Sequence, residues 1–409
     1  MMTTLKTSTE NQLGLDEYQQ TFFLSMLSNA DGSVTDFPLD PNSSKTAEEQ
    51  LADALAAKKL TSIESILDQY LQDWSLVWGP AVHVSDLDCH KNDDKTYNGF
   101  ATNTVFIVQN GSDYVVSVAG TTSGSNFDEM GEDGIVAVIS DWSYGGPDEL
   151  KVKISSGTAI ALGFIHNELK DPNEGSLDDF FKKLNQDSTI TFTGHSLGGA
   201  LSPAMALSFY GSQLSNSKNY EGPKIRTYPT AGPDIGNADY MEYLNKVLPP
   251  SEDIPVNPWM QYNCKISNSI DMVPQAWANT DAIATLYGQN MATPGYVDCV
   301  LSKAIYYIKR LHGEIPYAMD LSTAKGQFQG TFLDPSEFIN TVVKYDCATD
   351  AKYPLELCQF LAEVLYQHVD AYIQTIMADK TSKLIAVFGH MSAGNSTKNL
   401  FSKQILGCE

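Results

Sequence analysis

Residues 189–207 read TITFTGHSLGGALSPAMAL, and this stretch decides the fold. Its first part, Thr189–Thr193, is a β-branched run that predicts a strand. The small and apolar residues in the last part of the stretch, LGGALSPAMAL, predict a buried helix. Gly194-His195-Ser196-Leu197-Gly198 lies between the two, so the serine falls on a sharp strand-to-helix turn whose flanking glycines relieve crowding. A serine on such a turn exposes its hydroxyl above a sheet, which favours a nucleophile.

The segments on either side continue an alternation of strands and helices. Thr104–Gln109 and Tyr114–Val118 are apolar runs joined by Asn110-Gly111, a pair that tolerates the positive φ angles of a tight hairpin. Two more strands are predicted at Lys224–Gly232 and Cys264–Ile270, with helical sequence around Asp239–Val247 between them. Alternating elements of this kind favour an α/β protein whose sheet is mostly parallel and flanked by helices.

The region from Leu15 to Trp74 has a different pattern, with apolar residues at helical spacing in three successive segments. We therefore expect residues 1–75 to form a helical N-terminal extension packed on the core. Residues 76–409 are then the catalytic domain.

Composition limits the function. The 409 residues carry a net charge of −24, so nucleic acid and anionic membranes are poor partners. No apolar stretch is long enough for a spanning helix, and no secretory leader is visible at the first residues. We expect a cytoplasmic protein by default, with secretion as the alternative, and neither a cofactor nor a metal.

Two features have more than one interpretation. The six cysteines are sparse and favour free buried thiols, with Cys347 and Cys358 as the first pair to test for a disulfide. An acidic stretch without Lys or Arg lies between Thr122 and Leu150, and it favours a solvated loop over a calcium site. Its acidic residues are Asp128, Glu129, Glu132, Asp133, Asp141, Asp148 and Glu149.

A serine hydroxyl needs a histidine to take its proton and a carboxylate to orient that histidine. In hydrolases of this layout the chain order is Ser, Asp, His. Asp271, in SIDMVP, is the first candidate for the acid, followed by Asp234 and Asp253. The candidate bases after Asp271 are His368, then His390, and His312 last.

The segments GHSLGGALSPAMAL, YVVSVAGTTS, TAGPDIGN and SNSIDMVP together resemble the class 3 (fungal-type) lipase family of α/β-hydrolases, in particular its bacterial members. The resemblance covers roughly Trp74 to Trp277, with LVWGPAV as the family's first strand. It implies an oxyanion hole formed by Thr121 and the amide of Leu197. It also implies Asp271 as the acid, and His368 as the base followed at four residues by an aromatic, Tyr372.

The sequence departs from the family in two places. The Arg often found before Gly-Thr is Ala119 here, so whatever that charge anchors must be held differently. The interval from Asp271 to His368 is long, which implies an inserted cap in Gln275–Lys344. Within this cap, Leu286, Tyr287, Ile305 and Tyr306 are candidates to line an acyl pocket, although they could equally form the cap's own core.

The predicted function is a serine esterase or lipase that degrades lipids by hydrolysing carboxylic esters, acylglycerols or similar neutral esters, through an acyl-enzyme on Ser196. Contact with a lipid interface would be transient. A phospholipase A1 or a feruloyl-type esterase would share every catalytic residue and is the alternative. A non-catalytic binding protein on the hydrolase fold is the remote alternative.

Overall fold

The computed structural model describes residues 13–122, 125, 136–215, 220–253, 255–288, 290–320, 322–333 and 355–380. The strands there are β1 (Ser33–Phe37), β2 (Ser75–His83), β3 (Cys89–Lys91), β4 (Tyr97–Phe100), β5 (Asn103–Asn110), β6 (Asp113–Val118), β7 (Ile139–Asp141), β8 (Lys153–Ser155), β9 (Lys170–Asp171), β10 (Gly175–Ser176), β11 (Thr189–His195), β12 (Lys224–Thr230), β13 (Ser267–Asn268) and β14 (Gln327–Phe328). The helices are α1 (Glu17–Leu27), α2 (Ala47–Tyr70), α3 (Ser156–Asn167), α4 (Leu177–Phe181), α5 (Leu197–Ala206), α6 (Ser212–Ser215), α7 (Ala238–Val247), α8 (Thr280–Ile283), α9 (Gly295–His312), α10 (Thr323–Gly326), α11 (Leu355–Leu365) and α12 (Ala371–Met377).

A central sheet of five strands has the order β12-β11-β6-β5-β2. Strand β11 pairs in parallel with both β12 and β6, as the alternation of strands and helices predicts. The sheet is nevertheless mixed rather than mostly parallel, because β5 pairs antiparallel with β6 and with β2. The hairpin at Asn110-Gly111 reverses the chain after β5. The architecture is that of an α/β-hydrolase, and β11 lies inside the sheet with a parallel neighbour on each side.

The two faces of the sheet belong to two hydrophobic cores, because side chains alternate between faces along a strand. In β5, Val105 and Ile107 join the core that contains α3, α5 and α7. Phe106 and Val108 join the opposite core, which contains α1 and α12. The helix after the nucleophile motif and the N-terminal helix α1 therefore lie on opposite sides of the same strands.

The N-terminal region is less purely helical than expected. The second and third helical segments form one helix, α2, whose first turn has a capping box between Thr46 and Glu49. Strand β1 was not expected, and it pairs with β4 in a separate sheet of three strands. Helix α1 packs directly beneath the central sheet, where the Ser117 hydroxyl donates to the carbonyl of Leu24 at 2.8 Å. The division at residue 75 stays a prediction.

The expected cap, Gln275–Lys344, is described as far as residue 333. Its largest element is α9, which packs at its start against α11 through a cluster that includes Val297, Tyr287 and Phe360. Near its other end, Ile308 packs with Val136 and Tyr317. The insert therefore contacts the helix that leads to His368 and also Val136, within the acidic stretch.

The cysteines differ from the expectation of free thiols. Cys299 and Cys358 are disulfide-bonded, whereas Cys89 and Cys264 carry free thiols. Burial raises the pKa of the Cys264 thiol to about 12. Cys347 lies outside the described residues, so its pairing with Cys358 stays a prediction. Among the described helices, none has the length and apolar character needed to cross a membrane.

Candidate active site

Ser196 occupies the turn between β11 and α5, with φ 60° and ψ −126°. A non-glycine residue with positive φ is strained and persists only where its surroundings impose it. Here the surroundings are two closely packed glycines, since a Cβ on Gly194 would lie 2.4 Å from the Gly198 carbonyl oxygen. Only glycine fits at this approach of strand and helix. The sequence signal on both sides of the serine thus has a direct steric cause.

His368 lies against this turn although it is far from it in sequence. Its Nε2 is 2.8 Å from Ser196 Oγ, and its Nδ1 is 2.8 Å from Asp271 Oδ2. A carboxylate only accepts hydrogen bonds, so Nδ1 carries the proton and Nε2 is the acceptor for the serine hydroxyl. His368 belongs to a π-helical segment, Tyr366–Asp370, between α11 and α12. Such segments are frequent at functional sites.

Asp271 is fully buried at the end of the segment that follows β13. Its Oδ2 accepts from His368 and from the Tyr372 hydroxyl, which is 3.0 Å away. Its Oδ1 accepts from the Val273 amide at 3.0 Å. These donors fix both oxygens of the carboxylate and therefore fix the histidine as well. Asp234 and Asp253, the other candidate acids, are not placed here: Asp234 pairs with Lys265, and Asp253 is exposed.

The match to known families agrees with this geometry. Residues 115–280, which include Ser196 and Asp271, match the family model Lipase (class 3). This segment belongs to the class 3 lipase family. The protein is accordingly a lipase-like hydrolase.

Solved lipase structures align with this chain, and the M37 lipase shares its fold. The M37 lipase aligns with a TM-score of 0.61 and 21% identity, over 92% of this chain and 99% of the other. The lipase of Rhizomucor miehei aligns with a TM-score of 0.35 and 15% identity, over 64% of this chain and 62% of its own. Lipase II from Rhizopus niveus aligns with a TM-score of 0.38 and 13% identity, over 66% and 76%. No curated protein sequence matches significantly.

Tyr372 makes two contacts in this candidate site. Its hydroxyl donates to Asp271 and accepts from the amide of Asn268 at 2.9 Å. Burial raises the pKa of this phenol well above its ordinary value, so the hydroxyl keeps its proton and remains a donor. The residue is fully buried, and Phe328 packs edge-on against its ring. The sequence indicated an aromatic residue at this position but gave no sign of its hydrogen bonds.

His195, the residue before the serine, also contacts His368. Its Nε2 donates to the backbone carbonyl of His368 at 2.8 Å, and its Nδ1 accepts from the Thr230 hydroxyl at 2.9 Å. Burial, and then the nearby His368, lower the pKa of His195 well below its ordinary value. A neutral ring with its proton on Nε2 satisfies both contacts. Sequence reasoning gave this residue no role.

The other predicted site residues lie at different depths. Leu197 is the buried first residue of α5, and Thr121 is half-buried directly after Gly120. In the cap, Tyr287 is buried in the cluster shared with α11, and Leu286 packs on that cluster. Ile305 is half-buried, whereas Tyr306 is 57% exposed. The acyl-pocket role of these four cap residues stays a prediction, and Tyr287 is placed where the cap has its own core.

Two predictions concern residues that the structure does not describe. His390 lies outside the described residues, as do Asp128, Glu129, Glu132 and Asp133 of the acidic stretch. In the described part of that stretch, Asp141 pairs with Lys153 at 2.6 Å. His312 is directed elsewhere, to the carbonyl of Ala137 at 2.9 Å. Among the described residues, no cluster of three or more His, Cys, Asp and Glu side chains could hold a metal.

Proposed function

We propose that the protein is a serine esterase of the lipase type that hydrolyses neutral carboxylic esters, acylglycerols or similar. The observation that carries this proposal is the unbroken line of hydrogen bonds from Ser196 through His368 to Asp271. Each partner has the role that acyl transfer requires: nucleophile, general base and orienting carboxylate. The net charge of −24 favours an uncharged substrate over an anionic one.

The reaction begins when Ser196 Oγ attacks the ester carbonyl carbon while its proton passes to His368 Nε2. Asp271 stabilises the imidazolium that results and holds the ring in place. The carbonyl oxygen becomes an oxyanion, for which the Leu197 amide and Thr121 are the proposed donors. Collapse of this intermediate releases the alcohol, which receives the proton from His368, and leaves an acyl group on Ser196.

The second half of the reaction repeats these roles with water. His368 takes a proton from a water molecule, which attacks the acyl carbon. The bond between the acyl carbon and Ser196 Oγ then breaks, and His368 returns the proton to Oγ. Tyr372 supports both halves, because its hydrogen bond to Asp271 keeps the carboxylate directed at His368. No cofactor is required at any step.

Labelling with a fluorophosphonate and hydrolysis of p-nitrophenyl esters test the proposal directly. Ser196→Ala should remove labelling and nearly all hydrolysis while the fold is kept. Ser202→Ala is the matched control, since Ser202 is a buried serine on α5, the helix that follows Ser196, and has no role in the mechanism. A pure Ser196→Ala sample that retains a tenth of wild-type turnover would exclude this serine as the nucleophile.

The base is tested separately. His368→Ala should match the loss in Ser196→Ala, and the double variant should lose little more, because triad members act as one unit. His390→Ala should keep most of the activity. The opposite result for the two histidines would transfer the role to His390. A profile over triacylglycerol emulsions, phospholipid and feruloyl esters then identifies the substrate, and preference for either of the last two would replace the acylglycerol assignment.

A further inference from the structure

The loop between α1 and β1 lies against the segment that carries Thr121. Asn29 in this loop accepts the backbone amide of Gly120 on its side-chain Oδ1 at 2.8 Å. Three residues further, a Cβ on Gly32 would lie 2.7 Å from Thr122 Cγ2. The N-terminal region therefore contacts the residues before and after Thr121.

The same segment lies against the nucleophile on its other side. A Cβ on Gly120 would lie 2.5 Å from the carbonyl oxygen of His195 and 3.3 Å from Ser196 Cβ. Gly120 is thus held between Asn29 and the serine turn with no room for a side chain. Because Thr121 is covalently attached to it, the orientation of the Gly120 peptide sets where Thr121 presents its amide and hydroxyl.

The loop around Asn29 is itself held by a buried lysine. Lys59 on α2 donates from Nζ to the carbonyl of Ser28, 3.0 Å away, and to that of Ala30. These are the residues directly before and after Asn29. Lys59 is 1% exposed, and both carbonyls orient its Nζ. Asp31 is held in turn by the Ser62 hydroxyl and by Lys58 at 3.3 Å.

On the other side of Thr121, the anchor comes from the catalytic domain. Ser125 donates from its hydroxyl to the buried Asp88 at 2.7 Å. Ala119, directly before Gly120, has no polar side chain that could anchor the segment. On the Gly120 side of Thr121, the described contacts that hold the segment thus include one from the N-terminal extension, the hydrogen bond from the Gly120 amide to Asn29.

We infer that Asn29 is a positioning residue for the oxyanion hole, so that the N-terminal extension completes the active site. Asn29 does not touch the substrate; it acts by holding the Gly120 peptide and, through it, the donors of Thr121. This inference rests on the proposed function, because it assumes that Thr121 stabilises the oxyanion formed on attack by Ser196.

The test compares Asn29→Ala with a matched control, Asn98→Ala. The side chain of Asn98 also accepts a backbone amide, that of Asp36 at 2.9 Å, but in the separate sheet of β1, β4 and β3. Loss of one oxyanion donor typically costs a hundredfold or more in rate, so a displaced donor should lower the kcat of Asn29→Ala roughly tenfold or more. KM should change by less than about threefold, because the contact matters chiefly in the transition state. Asn98→Ala should keep wild-type kcat.

A second readout separates positioning from a loss of stability. An alkylboronic acid forms a tetrahedral adduct on the serine whose oxygen occupies the oxyanion position, so its inhibition should weaken in Asn29→Ala by about the same factor as kcat. Combining Asn29→Ala with Thr121→Val should cost less than the product of the two single effects, because Asn29 acts through Thr121. If Asn29→Ala does not fold, Gly32→Ala presses on Thr122 instead and should show the same fall in kcat.

The outcomes can be separated from a failure of the proposed function. A wild-type protein that does not react with fluorophosphonate would remove the proposed function itself. If the wild type reacts, equal kcat and equal boronate inhibition in Asn29→Ala and Asn98→Ala would overturn the inference and leave the esterase assignment intact. If the falls in kcat caused by Asn29→Ala and Thr121→Val multiply fully in the double variant, the inference is overturned as well.

Discussion

The buried ion pair between Lys265 and Asp234 offers a demanding test of how the acid loop is held. Lys265 Nζ lies 2.8 Å from Asp234 Oδ1, and the two side chains are 5% and 2% exposed. Lys265 also donates to the carbonyl of Pro274 at 2.9 Å, three residues beyond Asp271. The Asp234 amide donates to the Ala276 carbonyl at 2.7 Å. The pair therefore connects the TAGPDIGN loop to the chain that carries the acid.

Lys265→Met removes one charge and leaves the other buried. Removing one partner of a buried ion pair costs about 3–5 kcal/mol of the free energy of unfolding. The lost hydrogen bond to the Pro274 carbonyl adds about 1 kcal/mol. We expect a total loss of about 4–6 kcal/mol near pH 7. Adding Asp234→Asn should recover at least about 2 kcal/mol, since the amide removes the unpaired charge and keeps an acceptor.

The sign of the pH effect follows from the carboxyl that remains. Burial already raises the pKa of Asp234, and Lys265 is the main influence that lowers it. Without the lysine this pKa rises further in the folded state, so the folded protein binds a proton more tightly than the unfolded chain. Lys265→Met should then be less destabilising at pH 5 than at pH 8.

Urea denaturation followed by tryptophan fluorescence and circular dichroism measures these differences, with the m-value as the check on cooperativity. Hydrolysis of a p-nitrophenyl ester is measured on the same samples, because displacement of the Pro274 carbonyl should also lower kcat. A loss below about 1 kcal/mol in Lys265→Met, or no recovery in the double variant, would refute the account of the pair.

Three further predictions concern the site and its support. Asp271→Asn should fold normally and lower kcat about 10⁴-fold, because an amide facing Nδ1 of His368 favours the wrong tautomer; a loss under tenfold would contradict the assignment. Thr121→Val should lower kcat about a hundredfold and Thr121→Ser only slightly, and equal effects would show that only the backbone contributes. Burial lowers the pKa of Lys59 to about 7, well below its unfolded value. In urea denaturation, the free energy of unfolding of the wild type should therefore rise by about 2 kcal/mol relative to that of Lys59→Met between pH 7 and pH 9. A difference between the two proteins that does not change with pH would contradict the burial of a titrating amine.

The elements next to Ser196 could be predicted because their signals are local. Thr189–Thr193 was expected to be a strand, and β11 runs from Thr189 to His195. The hairpin at Asn110-Gly111 and the helix around Asp239–Val247 were also placed correctly. In each case neighbouring residues impose the backbone conformation, through β-branching, apolar periodicity or the steric freedom of glycine.

The sequence was less informative about how these elements extend and combine. The alternation of strands and helices did not show that β5 would have antiparallel neighbours on both sides. Two helical segments joined into α2, since no breaker separates Leu60 from Ser62. Free thiols were favoured, with Cys347 and Cys358 as the pair to test, yet Cys299 and Cys358 are disulfide-bonded, because a cysteine's partner depends on distance in the fold.

The sequence by itself determined the serine on its strained turn and a short set of acids and bases that could serve it. Tertiary structure decided which of these side chains meet: Asp271 reaches His368, whereas Asp234 pairs with Lys265. It also placed Asn29 against Gly120, a contact that no pattern in the sequence indicated. The physical reason is that backbone preference acts over a few residues, whereas a buried hydrogen bond forms between groups that packing brings together from any distance along the chain.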